Sequence, residues 1–121
     1  KDIYNILRQV WDENKIDMLE EFKVKFLNRA NRVTGVYDAS SGGITGTVAD
    51  PRLILAAAIK SLSVSIVLSH NHPSGNLKPS RADEELTLKI KEAAGYHDIK
   101  VLDHIIITSE AYYSFADEGL I

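Results

Sequence analysis

Two histidines, His70 and His72, follow directly on the β-branched apolar run 63–69 (SVSIVLS). At the end of an extended strand, residues i and i+2 point to the same side, so both imidazoles can chelate one ion. Asp83 lies eleven residues beyond His72, in the first turn of a predicted helix, and Pro73, Gly75 and Pro79 let the chain turn back between them. Two imidazoles and one carboxylate leave a fourth tetrahedral position for water, the donor set of a catalytic rather than a structural zinc site. On residue types alone, the pattern also fits two hydrogen-bonded edge histidines and an aspartate that favours a helix dipole. A non-haem iron site would use the same donors.

Hydrolysis at such a site needs a base, and a carboxylate is the usual choice. Glu20 has the strand parity of Phe22, Val24 and Phe26, so it points inward if that strand begins by residue 20. Glu21 then faces out with Lys23 and Lys25. If the strand begins later, Glu20 sits in a solvated turn. Ser80 is a helix cap by position, a role compatible with catalysis. His104, inside an apolar strand, reads as a satisfied core residue or a support beside the metal. His97 reads as exposed in a polar turn, and Lys78 and Arg81 as surface cations.

The elements that position these residues follow from periodicity. Ile3, Ile6, Leu7, Val10 and Trp11 form one stripe of an amphipathic helix within residues 1–15. Alternation over 20–28 and 32–39, joined by Asn28-Arg29-Ala30-Asn31, predicts a β-hairpin, with Ser40-Ser41-Gly42-Gly43 as a loop or bulge. Asp50-Pro51 starts a helix through the apolar run 53–59, expected to be well buried with Ala56, Ala57 and Ala58 against the sheet. Residues 63–69 read as a central strand covered on both faces. Ser80 to Gly95 reads as a capped helix with a glycine stop, 99–108 as a second central strand and 109–117 as a short final helix. The fold class is α/β, a mixed β-sheet flanked by helices in a single domain.

Composition bounds the function. With 121 residues, 45% of them hydrophobic, the chain can build one core, and a formal charge of −3 gives no global attraction to nucleic-acid phosphates. The absence of cysteine removes disulfides, thiolate nucleophiles and Cys-based zinc sites. The run 53–59 is far short of the roughly 18 residues that span a bilayer, so no membrane partner is expected and a cytoplasmic location fits. The chain begins on Lys1 with no basic-then-apolar leader, which we read as a piece of a longer protein.

His70-x-His72-Pro73, Ser80 and Asp83, preceded by a glutamate on an early strand, resemble the JAMM motif of the JAB/MPN metalloprotease superfamily. More narrowly, SHNHPSGNLKPSRAD, EEFKVKFLNRANRV, DPRLILAAAIK, VLDHIII and YYSFADEGL resemble the bacterial RadC proteins, from about Glu20 to the end of the chain. The resemblance implies a cytidine-deaminase-like α/β fold over residues 1–121, a Zn2+ held by His70, His72 and Asp83, Glu20 activating the water and Ser80 stabilising the oxyanion of a cleaved peptide or isopeptide bond. It also implies a peptide or protein substrate. The alternative it implies is a metal-binding accessory module in DNA repair or recombination, whose DNA contacts fall to an upstream helix-hairpin-helix region absent from this chain. Asn71 stands where JAMM proteins commonly carry Ser or Thr, as in RadC-like sequences, which weighs against a ubiquitin-like substrate. Nucleobase deamination, which suits the implied fold, is set aside because its zinc site is built on cysteines.

Overall fold

A computed structural model describes the backbone of residues 2–42 and 49–121, and the side chains of 5–40 and 49–121. In chain order the described elements are α1 Asp2–Val10, β1 Glu20–Leu27, β2 Val33–Gly42, α2 Pro51–Lys60, β3 Ser65–Asn71, α3 Arg81–Gly95, β4 Lys100–Ile107 and β5 Tyr112–Ser114. The strands form one mixed sheet in the order β2-β1-β3-β4-β5. Only β3 and β4 run parallel, which requires the α3 crossover between them. The other neighbours are antiparallel. The predicted mixed α/β sheet is therefore present, with β3 at its centre and every residue of β3 buried.

Alternation sets the two faces. Phe22, Val24 and Phe26 of β1 meet Ile66 and Leu68 of β3 and pack under Ile54 and Ala58 of α2 and Ile90 and Ala94 of α3. On the opposite face, Val67, Ile105 and Ile107 pack against Leu7, Trp11 and Ile16. The segment from α1 to β1 thus closes the second side of the sheet. This closure overturns one expectation: Lys23 and Lys25 do not face solvent but are 8% and 5% exposed. Lys23 donates to Asp38 at 2.7 Å and lies 5.3 Å over the Trp11 ring, while burial pushes the Lys25 ammonium down from its ordinary value.

The hairpin forms as predicted. The Asn28 side chain accepts from the backbone N–H of Ala30 and Arg32, and Asn31 takes the left-handed φ of 60° that asparagine tolerates. Ser40, Ser41 and Gly42 are not a loop but continue β2 opposite Phe22, Glu21 and Glu20, after a bulge that skips Ala39. Gly43 lies outside the described residues, as does the Ile3 side chain. The first helix stops at Val10 rather than near residue 15, and turns carry the chain to β1.

Helix α2 begins as expected, with Asp50 accepting from the Arg52 N–H and Pro51 in the first turn. It is not well buried: only Ile54 and Ala58 are, Leu53 and Ile59 are about half exposed, and Ala56 faces solvent. The helix lies on the sheet's outer surface with one edge inward, so its apolar run exceeds its buried stripe. Gly95 does not stop α3 by a left-handed turn; the helix includes it and the positive φ falls on Asp98. The predicted final helix is instead the edge strand β5 and a turn. Buried Asp103 accepts from the Ser114 hydroxyl at 2.6 Å and the Ala116 N–H at 2.9 Å, and these tertiary bonds hold the segment extended. No described helix is long and apolar enough to cross a membrane.

Candidate metal centre

The site sits where β3 ends, at the carboxyl end of the parallel β3–β4 pair, the place where open α/β sheets present ligands. His70 occupies the last full turn of the pleat, is 1% exposed and stacks on Phe22, its register partner in β1, at 5.8 Å and 5°. His72 follows beyond the strand. Its Nδ1 lies 2.6 Å from the Asn76 carbonyl, and since that oxygen only accepts, Nδ1 carries the proton and Nε2 is left with a lone pair. The loop that supplies this carbonyl is closed by the Gly75 N–H donating to the His72 carbonyl, with Gly75 at φ 84°, a region glycine enters without strain.

The third group arrives from α3. Ser80 and Asp83 form a capping box: the Ser80 hydroxyl accepts from the Asp83 N–H, and the Asp83 carboxylate accepts from the Ser80 N–H at 2.8 Å. The cap fixes the carboxylate against β3. Asp83 Oδ1 lies 3.4 Å from His70 Nε2, Oδ2 lies 3.4 Å from His72 Nε2, and the two Nε2 atoms are 2.9 Å apart. His70, His72 and Asp83 are the group among the described residues whose ligand atoms converge as a metal site requires. The two imidazole nitrogens and the carboxylate meet at the separations of groups that share one small cation.

The electrostatics agree. Burial alone would raise the Asp83 carboxyl, but the neighbouring His70 and His72 imidazoles, whose charged forms would bond to it, and the Ser80 N–H together outweigh burial and hold the group well below the usual carboxylate range. Burial alone would lower His72, yet the hydrogen bond to Asp83, the Asn76 carbonyl and the Asp83 and Glu20 charges raise it. Both directions say that the space between these atoms favours positive charge.

Glu20 is the first residue of β1 and is half-buried, rather than in a solvated turn before it. Since Phe22 pairs with His70, continuing the antiparallel register sets Glu20 toward His72. A cleft of about 680 Å3 is lined by Glu20, His72, Asn76, Lys78 and Ser80 among others. All five residues singled out in the sequence thus gather at one end of the sheet. His97 and Arg81 are exposed, and Arg81 pairs with Glu85 on its own helix.

Two residues went unassigned in the sequence. Asn71, read there only as a mark of one branch, is fully buried between the two histidines. Its amide donates to the carbonyls of Ile16 and Leu19, and its carbonyl accepts from the Glu21 N–H at 2.7 Å, so it grips the backbone on both sides of Glu20. A polar residue inside an apolar strand was the available signal. Thr87, one turn after Asp83 on α3, is also buried; it contacts His104, whose ring lies beside His70.

The family model of a RadC-like JAB domain matches residues 1–120. The chain belongs to the RadC-like JAB family. It is 45% identical over 120 residues to a UPF0758 protein of Flavobacterium johnsoniae, covering 99% of this chain and 51% of that one. A UPF0758 protein of Porphyromonas gingivalis is 43% identical over 103 residues, covering 84% and 45%. One of Clostridium beijerinckii is 40% identical over 121 residues, covering 100% and 52%. This RadC-like JAB domain spans about half the length of the curated relatives it matches. The expected fold follows from that membership and from the sheet; the His70-His72-Asp83 group of this RadC-like JAB domain could hold a metal ion.

Proposed function

We propose that the domain is a zinc-dependent hydrolase of JAMM type that cleaves a peptide or isopeptide amide bond. The observation that carries this reading is the meeting of two histidine Nε2 atoms and a capped carboxylate at 2.9 to 3.4 Å, with Glu20 and Ser80 on the same cleft. Nitrogen and oxygen donors, no thiolate, and a carboxylate base beside them suit a hydrolytic zinc site.

When bound, Zn2+ supplies Lewis acidity toward a water and a scissile carbonyl. His70 and His72 would hold it through Nε2 and Asp83 through its carboxylate. The Glu20 carboxylate takes a proton from the attacking water and delivers it to the leaving nitrogen. The Ser80 hydroxyl, which accepts the Asp83 N–H with its oxygen, still has its own proton to donate to the carbonyl oxygen as negative charge develops. His72 and Glu20 line the cleft together, so a substrate bound there would meet a metal-holding histidine and the base from one side.

The test is elemental analysis of protein purified without chelator, with His70→Ala and Asp83→Ala beside wild type, followed by a peptide and isopeptide cleavage screen with Glu20→Gln as control. Near-stoichiometric zinc lost in both variants, with cleavage lost in Glu20→Gln, supports the reading. Zinc without cleavage by the longer protein would favour the accessory-module reading, and no zinc after add-back would sink the metal site.

A further inference from the structure

We propose that Thr87 and His104 are positioning residues that fix the proton of His70 on Nδ1, so that its Nε2 presents a lone pair to the cation. The inference rests on the metal reading above. It begins with a group that has no choice: the Asp83 backbone carbonyl can only accept, and Thr87 Oγ1 lies 2.8 Å from it, so the Thr87 hydroxyl donates its single proton there. Thr87 Oγ1 also contacts His104 Nδ1. With its proton spent, the hydroxyl accepts, and His104 Nδ1 carries a proton.

His104 Nε2 is then the bare nitrogen of that ring. It lies 2.7 Å from His70 Nδ1, which must therefore donate to it. The His70 proton sits on Nδ1, and Nε2, 3.4 Å from Asp83 Oδ1, has its lone pair free. Reversing any link would put a proton on His70 Nε2, at the point where the ligand atoms meet. The chain begins on the backbone of one ligand residue, Asp83 on α3, and ends on the ring of another, His70 on β3, so one set of bonds fixes both the spacing and the polarity of the site.

The environment holds the relay in place. His104 is fully buried, stacks on Phe115 at 4.5 Å and meets Phe22 edge-on at 5.5 Å, while Phe22 stacks on His70. Neither ring can turn without breaking this stack. Thr87 meets Asp83 at its backbone carbonyl and reaches the His70 ring through His104, so the tautomer of His70 is set by way of His104. Loss of such an orienting partner typically lowers metal affinity about 10- to 100-fold.

The experiment compares wild type, Thr87→Val and Thr87→Ser by zinc titration against a competing chelator and by imidazole 15N NMR. Thr87→Val keeps the shape and removes the hydroxyl. The expected results are His104 protonated on Nδ1 and bare on Nε2 in wild type, zinc affinity about 10- to 100-fold weaker in Thr87→Val with that tautomer signature lost, and both restored in Thr87→Ser. A wild-type His104 protonated on Nε2 would overturn the proposal, as would Thr87→Val binding zinc as wild type does; in either case zinc binding by wild type leaves the metal reading standing. A wild type that binds no zinc overturns both. Unchanged thermal unfolding of Thr87→Val separates the effect from misfolding, and if that variant does not fold, Thr87→Ser with a changed tautomer and weakened zinc binding overturns the relay.

Discussion

In the proposed metal site, His72 is the residue at which protons would compete with the ion. Its pKa is raised because the hydrogen bonds with Asp83 and the Asn76 carbonyl and the Asp83 and Glu20 charges together outweigh burial, so its Nε2 protonates at a higher pH than an ordinary imidazole near 6.5. Asp83 is held low and keeps its charge across that window, so the imidazole sets the pH limit. Zinc occupancy is expected to begin falling above pH 6.5 as acid is added, and a chelator competition series from pH 8 to 5.5 checks it; occupancy constant to well below 6.5 would contradict it. At Glu20 the expectation separates binding from chemistry. Glu20→Gln should retain zinc and slow cleavage roughly 10²- to 10⁴-fold, the usual worth of a general base, which parallel metal analysis and single-substrate kinetics would show.

At the scale of elements, the ladder between β1 and β3 does not reach Glu20 by backbone pairing alone. The Asn71 side chain takes over where β3 ends, and its bonds tie Ile16, Leu19 and Glu21 to the strand that bears the histidines. Asn71→Ala leaves two carbonyls and one N–H without these partners in a covered region. Destabilisation of about 1–3 kcal/mol by denaturant titration is expected, together with a larger loss of cleavage than of zinc. A second element-scale expectation concerns Lys25, whose burial disfavours its charge and which makes no ion pair among the described residues. Its folded-state pKa lies below its unfolded one, so the ammonium opposes folding where it is charged. Lys25→Met should raise the midpoint of thermal unfolding, and a lowered midpoint would show that the ammonium has a partner worth more than its desolvation.

For the whole molecule, the candidate site is assembled on a sheet covered on both faces. The α2/α3 side carries Asp83 and Thr87, while the α1 side anchors the approach to Glu20 through Leu7, Trp11 and Ile16. Trp11→Ala should cost about 3–5 kcal/mol, read by denaturant unfolding, and should speed amide exchange in residues 11–21 more than in α3. The sequence by itself determined much of this. Residue types chose the donors, a period of two put His70 with His72 and Glu20 with Phe22, and capping chemistry started α2 and α3 where Asp50 and Ser80 stand. These are local properties, legible because neighbouring residues decide them. The rest was decided in three dimensions. Parity says which face Lys23 and Lys25 share, but whether that face is wet depends on α1 folding back from ten or more residues away. Helical spacing over 109–117 loses to the buried carboxylate of Asp103, which gathers Ser114 and Ala116 into an edge strand. His104 becomes a partner of His70 only through the parallel register of β3 and β4, where Leu68 faces His104 and His70 faces Ile106. A sequence names groups able to bond, but their partners are fixed only when distant strands choose a register.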